Sequence, residues 1–153
     1  MSVTVEIRPA RGSDAALLAA NLRPGDRREL ALLGIEPETV IDHCITSSLY
    51  AKAALFDGEL AALWGVSTED MTSELGNLWL LTADPIERLP HRFARECRNE
   101  IKAAHAIWPR LFIQVDPFYR RAVRLLTVMG FARATTIVPG PLGSCFHIYE
   151  RSA

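Results

Sequence analysis

Cysteine is scarce in this sequence and none of it is paired by spacing. Cys44, Cys97 and Cys145 are odd in number and far apart, without the paired spacing of a disulfide framework or a metal site, so buried reduced thiols and no bound metal are expected. Charge of one sign is lacking too. A net charge of -1 gives no global attraction to nucleic acid or to a membrane surface. The opening Met1-Ser2-Val3-Thr4-Val5-Glu6 has no basic head followed by an apolar run, and no stretch approaches the roughly 18 apolar residues of a membrane span. These absences predict a cytoplasmic chain with no nucleic-acid or membrane partner. Repeats, low-complexity segments and linkers are also missing, so residues 1–153 read as a single domain. At that length roughly 70% of the unfolded surface can be buried around one core.

What is present is best specified in the run from Asp116 to Phe131. Asp116 can cap a helix and Pro117 suits its first position. Phe118, Ala122, Leu125 and Met129 then recur at spacings of three and four on one apolar face, with Arg120, Arg121 and Arg124 elsewhere. Those three arginines read as a solvated face or as phosphate contacts. Gly130 can end the helix in the left-handed conformation, with Phe131 folding back on its last turn. Residues 111–115 before it read as a buried strand.

The rest of the chain follows in order. Residues 3–8 alternate apolar and polar as a half-exposed strand. Ser13 or Asp14 caps a helix in which Ala15, Leu18 and Leu22 share a face, and Arg23-Pro24-Gly25 ends it. Asp26 opens a short polar helix through Leu33, and residues 38–48 form another that buries Val40, Ile41, Cys44 and Ile45. Residues 49–56 and 59–67 are strands joined by Asp57-Gly58, a hairpin turn whose two positions need positive φ. After a polar connection at 68–76, residues 77–82 form a central strand covered on both faces. Asp84-Pro85-Ile86-Glu87 resembles a capping box. Pro90 interrupts it, so the main helix is placed at 90–105 with Phe93, Cys97, Ile101 and Ala104 inward. Two last strands, 132–138 and 144–149, carry Cys145 and His147 on one face. These two could be a nucleophile and base, but no third orienting group is present, which favours packing. Trp64, Trp79 and Trp108 read as core or interface residues. The order of elements is α/β with a mixed sheet.

The run Ala122-Val123-Arg124-Leu125-Leu126-Thr127-Val128-Met129-Gly130-Phe131 resembles the penultimate helix of the GNAT-superfamily N-acyltransferases, which commonly shows an alanine, then a leucine, then a Gly-Phe ending. Residues 78–131 resemble more specifically a phage-encoded GNAT-like group related to a head or internal virion protein of short-tailed phages. The resemblance implies a single GNAT-like domain. Its central sheet would be mixed and mostly antiparallel, flanked by helices, with a splayed parallel pair at 78–82 and 111–115. It further implies acetyl-CoA as cofactor, its pantetheine on the backbone of Leu80, Leu81 and Thr82. The pyrophosphate would lie at the helix start beside Arg88, His91 and Arg92, where free N–H groups attract anions. The acceptor would be a small-molecule or protein amine, in a cleft bordered by the helices at 26–33 and 38–48, where Arg27, Arg28, Glu29 and His43 are either lining residues or solvated helix faces. Glu29 or a water would act as base, and Tyr119 is the candidate acid, with packing against the sheet as its alternative role.

Two features depart from the family pattern. GNAT enzymes usually carry glycines where the strand meets the cofactor helix, so that backbone N–H groups approach the phosphates. Residues 83–92 contain none, and instead hold Pro85, Pro90, Asp84 and Glu87. Leu126 stands where many GNAT enzymes have the tyrosine that protonates the thiolate. These departures support a second class of function, a non-catalytic phage or prophage protein that uses the fold as a scaffold for virion assembly or for binding a virion or host protein. The edge formed by the last two strands also suggests a homodimer.

Overall fold

Asp57 and Gly58 both adopt positive φ, 51° and 79°, as a two-residue turn of the primed kind requires. They join β2 (Tyr50–Phe56) to β3 (Glu59–Ser67). The computed structural model describes residues 2–70 and 72–153. Met1 of the opening stretch and Met71 of the polar connection lie outside them. Around the hairpin are β1 (Val5–Pro9), α1 (Asp14–Asn21), α2 (Pro24–Ala31), α3 (Pro37–Ser47), β4 (Leu75–Thr82), α4 (Pro90–His105), β5 (Arg110–Val115), α5 (Arg120–Val128), β6 (Ala132–Pro139) and β7 (Cys145–Ser152). The strands form one seven-stranded sheet in the order β1-β2-β3-β4-β5-β7-β6. Every neighbouring pair is antiparallel except β4 and β5, which run parallel. Parallel neighbours need a crossover, and α4 with its leading turn supplies it.

Successive strand residues face opposite sides of a sheet, and the core divides accordingly. Ala53, Leu63 and Leu81 pack on one face against Ala15, Leu18, Leu30 and Ile41 from α1, α2 and α3 and against Leu22 just after α1. On the other face Val66, Leu111, Val115 and Tyr149 meet Ile101 and Ala104 of α4 and Leu126 of α5. Ala54, Phe56, Ala62 and Trp64 of that face lie under Ile86 and Phe93. The sheet is thus a middle layer with helices on both sides, as the α/β reading and the splayed parallel pair require. Among the described residues no helix is long and apolar enough to cross a membrane.

Several local expectations are corrected. Helix α5 starts at Arg120, not at Pro117, because the Asp116 carboxylate accepts a hydrogen bond from the Phe118 N–H at 3.0 Å in a turn of its own. Phe118 is consequently turned outward, 72% exposed, and does not join the inner stripe. The helix ends as expected, with Gly130 at φ 88° and the Phe131 N–H bonded to the Leu126 carbonyl. Asp84–Arg88 is a short 3-10 turn without a side-chain cap. Its Glu87 pairs with Arg121 at 2.6 Å, not with the turn's own backbone. Helix α2 begins at Pro24, so that proline starts a helix and does not merely end one. Cys44 and Cys97 are half-buried, but Cys145 is exposed.

Candidate active site

β4 and β5 are paired only at their first residues, Leu75, Gly76 and Asn77 against Arg110, Leu111 and Phe112. Both strands then continue, to Thr82 and Val115, with no ladder between them. The Ala83 N–H donates to the Ala61 carbonyl at 2.8 Å, and β3 and β4 keep one register throughout. Alternation therefore turns the N–H and C=O of Trp79 and Leu81 toward β3 and those of Leu78 and Leu80 into the gap. The gap is the floor of a cleft of about 690 Å³ lined by all six residues from Asn77 to Thr82 and by Ile113, Gln114 and Val115. Its other walls come from both helical layers: Leu30, Leu33, Val40 and Cys44 on one side, and Pro90, Phe93, Ala122 and Leu125 on the other. The opening therefore runs through the sheet.

At the far end of the gap the turn between α1 and α2 docks onto β4, the Arg23 N–H donating to the Thr82 carbonyl at 3.1 Å. Its side chains form a connected polar group with Tyr119. The Thr82 hydroxyl donates to Asp26 Oδ2 at 2.5 Å and the Tyr119 hydroxyl donates to the same oxygen at 2.9 Å. Arg23 donates from Nε to Thr82 Oγ1 at 2.8 Å and from Nη2 to the Tyr119 oxygen at 3.3 Å. Gly25 makes this possible, since a Cβ there would overlap the Tyr119 ring. Burial raises the Asp26 carboxyl above its ordinary range, against the pull of the Thr82 and Tyr119 hydroxyls and of Arg23. Burial also pushes Tyr119 up to about 12, with the Asp26 charge adding to it. Toward α5, Glu87 stands between two cations, 3.6 Å from Arg23 and 2.6 Å from Arg121.

Glu29 on α2 reaches the same cleft from the side. Its Oε2 accepts a hydrogen bond from the Asp116 N–H at 3.0 Å. Burial pushes its carboxyl up to about 7, offset by that hydrogen bond and reinforced by the charges of Asp26 and Asp116. Such a carboxyl exchanges a proton near neutrality, which suits a general base. Asp116 Oδ2, which unlike the half-buried Glu29 is fully buried, has no hydrogen-bond partner among the described residues and lies 3.8 Å from Arg28 Nε.

The cleft thus gathers Glu29, Tyr119, Leu80, Leu81 and Thr82. Arg88, His91 and Arg92 are not part of its lining: Arg88 donates to Glu59 at 2.8 Å, Arg92 to Glu96 at 2.9 Å, and His91 is exposed at the start of α4. Arg27 bonds the Ala19 carbonyl and His43 is exposed. Cys145 and His147 alternate with Phe146, which lines the cleft, and so belong to the opposite face of β7. Sequence reasoning gave Arg23 and Asp26 no site role, and gave Arg121 only as a solvated residue or a phosphate contact. The available signal was Gly25, a glycine inside a helix whose reason is the ring packed against it.

No protein-family model matches the chain, and no curated protein matches its sequence. Solved structures do resemble it. The ribosomal-protein-S18-alanine N-acetyltransferase from Escherichia coli matches with a TM-score of 0.66 and 16% identity, over 97% of this chain and 94% of that one. The ribosomal-protein-S5-alanine acetyltransferase from Vibrio fischeri matches with a TM-score of 0.64 and 13% identity, over 97% and 92%. An acetyltransferase of the GNAT family from Streptococcus pneumoniae matches with a TM-score of 0.60 and 17% identity, over 98% and 100%. At these identities the shared property is the fold alone, one that these solved acetyltransferases have.

Proposed function

We propose that the chain is an N-acyltransferase that takes its acyl group from acetyl-CoA and passes it to an amine. The observation that carries this reading is Glu29, a carboxyl raised to about 7 on the wall of a cleft that opens through the sheet between two splayed parallel strands. The residues present fit the cofactor in two respects. The unpaired edge of β4 offers backbone groups at Leu78 and Leu80 beside Leu81 and Thr82, suited to the amide-bearing pantetheine arm. The first turn of α4 has no side-chain cap, so its free N–H groups, with Arg88, His91 and Arg92 around them, can receive the pyrophosphate. Bound there, acetyl-CoA supplies the acyl group as a thioester. Glu29 takes a proton from the amine. Tyr119, held by Asp26 and Arg23, is the group that hands a proton to the departing sulfur.

One observation favours a second reading. The turn from Asp84 to Arg88 has no glycine, contains Pro85 and is followed by Pro90, which removes backbone donors where phosphates would rest. In that reading the fold is a scaffold whose partner is a virion or host protein. Titration calorimetry with acetyl-CoA and CoA separates the two. Micromolar binding, about -8 kcal/mol, supports the acyltransferase, and Arg92→Ala then weakens it about tenfold. Absence of heat at millimolar ligand supports the scaffold.

A further inference from the structure

The two halves of the cleft differ in chemistry. On the side of α5 the charged lining residues are Arg121 and Glu87, 2.6 Å apart, while Arg23 stands between the two halves, 3.6 Å from Glu87 and 3.7 Å from Asp26. On the side of α2 and α3 the wall is Leu30, Leu33, Val40 and Cys44, faced by Phe146 from β7, and its ionisable carboxyls are Asp26 and Glu29. Burial raises the Cys44 pKa, so its thiol stays neutral. Arg28, the nearby cation on α2, does not line the cleft. It lies 3.8 Å from Asp116 and 5.8 Å from the centre of the exposed Phe118 ring. The apolar wall continues outward. Leu142 of the connection between β6 and β7 touches the loop after α2, its Cδ2 being 3.5 Å from where a Cβ on Gly34 would lie. Both Leu142 and Ile35 beside Gly34 are exposed, at 65% and 53%.

From this we infer that the acceptor is a primary amine on an uncharged, apolar body, an aralkyl or alkyl amine, seated against α2, α3 and Phe146 with its ammonium at Glu29. The inference rests on the acyltransferase reading and names the substrate class of that site. A carboxylate on the acceptor would be buried beside Asp26 and Glu29, and the cation there, Arg23, is already paired with Asp26 at 3.7 Å and Glu87 at 3.6 Å and donates to Thr82 and Tyr119, so the carboxylate would lack a free partner. Hydroxyls of a sugar acceptor would meet Leu30, Leu33 and Val40, which cannot hydrogen-bond to them. A second ammonium would find the wall's other carboxyl, Asp26, already accepting from Thr82 and Tyr119 and paired with Arg23. The ammonium has two protons to lose on becoming an amide. One goes to Glu29 and from there to water. The other replaces the proton that Tyr119 gives to the sulfur as the new C–N bond forms and the C–S bond breaks.

The test is a panel of acceptors with the full chain and acetyl-CoA, read by thiol release, and in parallel by calorimetry of each amine alone. The panel is 2-phenylethylamine, phenylalanine, putrescine and glucosamine. The expected kcat/KM for 2-phenylethylamine exceeds that for phenylalanine, the same body with a carboxylate, by about 100-fold. Putrescine and glucosamine fall below 2-phenylethylamine by at least about tenfold. Equal or faster transfer to any of the other three overturns the inference while the acyltransferase reading stands, as does acetyl-CoA binding without transfer to 2-phenylethylamine. Binding of 2-phenylethylamine that is lost in Glu29→Gln, in a protein that ignores acetyl-CoA, upholds the amine pocket and overturns the transfer reading. Binding of neither overturns both.

Discussion

β4 and β5 are one pair of strands with two unlike ends. At the closed end Gly76 lets Val66, Leu111 and Trp108, all buried, come within about 3 Å of where its Cβ would be, and the ladder holds. At the open end the ladder is gone, and the space is bounded by Thr82, Asp26, Tyr119 and Arg23 in a hydrogen-bonded group, with Glu29 beside it. Close apolar packing needs nothing but shape, and it leaves no room for a ligand. The open end keeps its room by holding polar groups that are mostly satisfied within the protein. Glu29 and Asp116 depart from this: the half-buried Glu29 carboxyl has a single backbone donor, and the buried Asp116 Oδ2 has none among the described residues. A group left in that condition costs stability and gains reactivity, which is the usual bargain of a functional site.

The contrast can be broken first at the closed end. Gly76→Val places three carbons where the first already lies 2.9 Å from Val66 Cγ1 and 3.0 Å from Leu111 Cδ2 and from the Trp108 ring. The expected loss is about 4 kcal/mol, read as a shift in denaturant midpoint at constant slope. A loss under about 1 kcal/mol would mean that the closed end is not tightly packed.

At the open end the sign is reversed. The Glu29 carboxyl is about 7 in the fold against an ordinary 4.5, so between those values the folded chain holds a proton that the unfolded chain has released. Its contribution to stability therefore falls as pH rises through that window and stays low above it. Glu29→Gln removes the effect. It should leave stability unchanged near pH 4 and raise it by at most about 3 kcal/mol at pH 8, while acyl transfer drops by about 100-fold or more. Paired melts of the two proteins across that range isolate Glu29 from the other titrating groups. A pH-independent difference removes the raised carboxyl.

The same contrast explains what could be read from the residues alone. Asp57-Gly58 was legible because two adjacent positive φ angles restrict the residue types that fit. Helix α4 was legible because Pro90 fixes its start and a repeating inner stripe fixes its length. The start of α5 was not, because an aspartate followed by proline announces a cap equally well whether its carboxylate serves a helix or, as here, the Phe118 N–H of a separate turn. Glu29 could be proposed as a cleft residue, but its burial depends on Asp116, 87 positions away. Arg23 and Asp26 read as punctuation between helices. Their partners lie far along the chain too, Thr82 at 56 and 59 positions from Asp26 and Arg23 and Tyr119 at 93 and 96, and no local period encodes such pairings.

The smallest effect tests whether the polar group itself holds the open end. Tyr119→Phe takes one of two hydroxyl donors from Asp26 Oδ2 and leaves that of Thr82. It also removes a 3.3 Å acceptor from Arg23. The expected loss is about 1 to 2 kcal/mol. Asp26 is already raised by burial, and losing a donor to its charged form raises it further. The penalty of Tyr119→Phe should therefore grow with pH, because a carboxyl whose folded pKa lies above its unfolded value weakens the fold as it ionises. Gly25→Ala makes the complementary change, displacing the Tyr119 ring with its hydroxyl intact, and should show the same growth with pH. If melts of both variants match the parent at every pH, the network contributes nothing to the gap, and the missing ladder between β4 and β5 accounts for it alone.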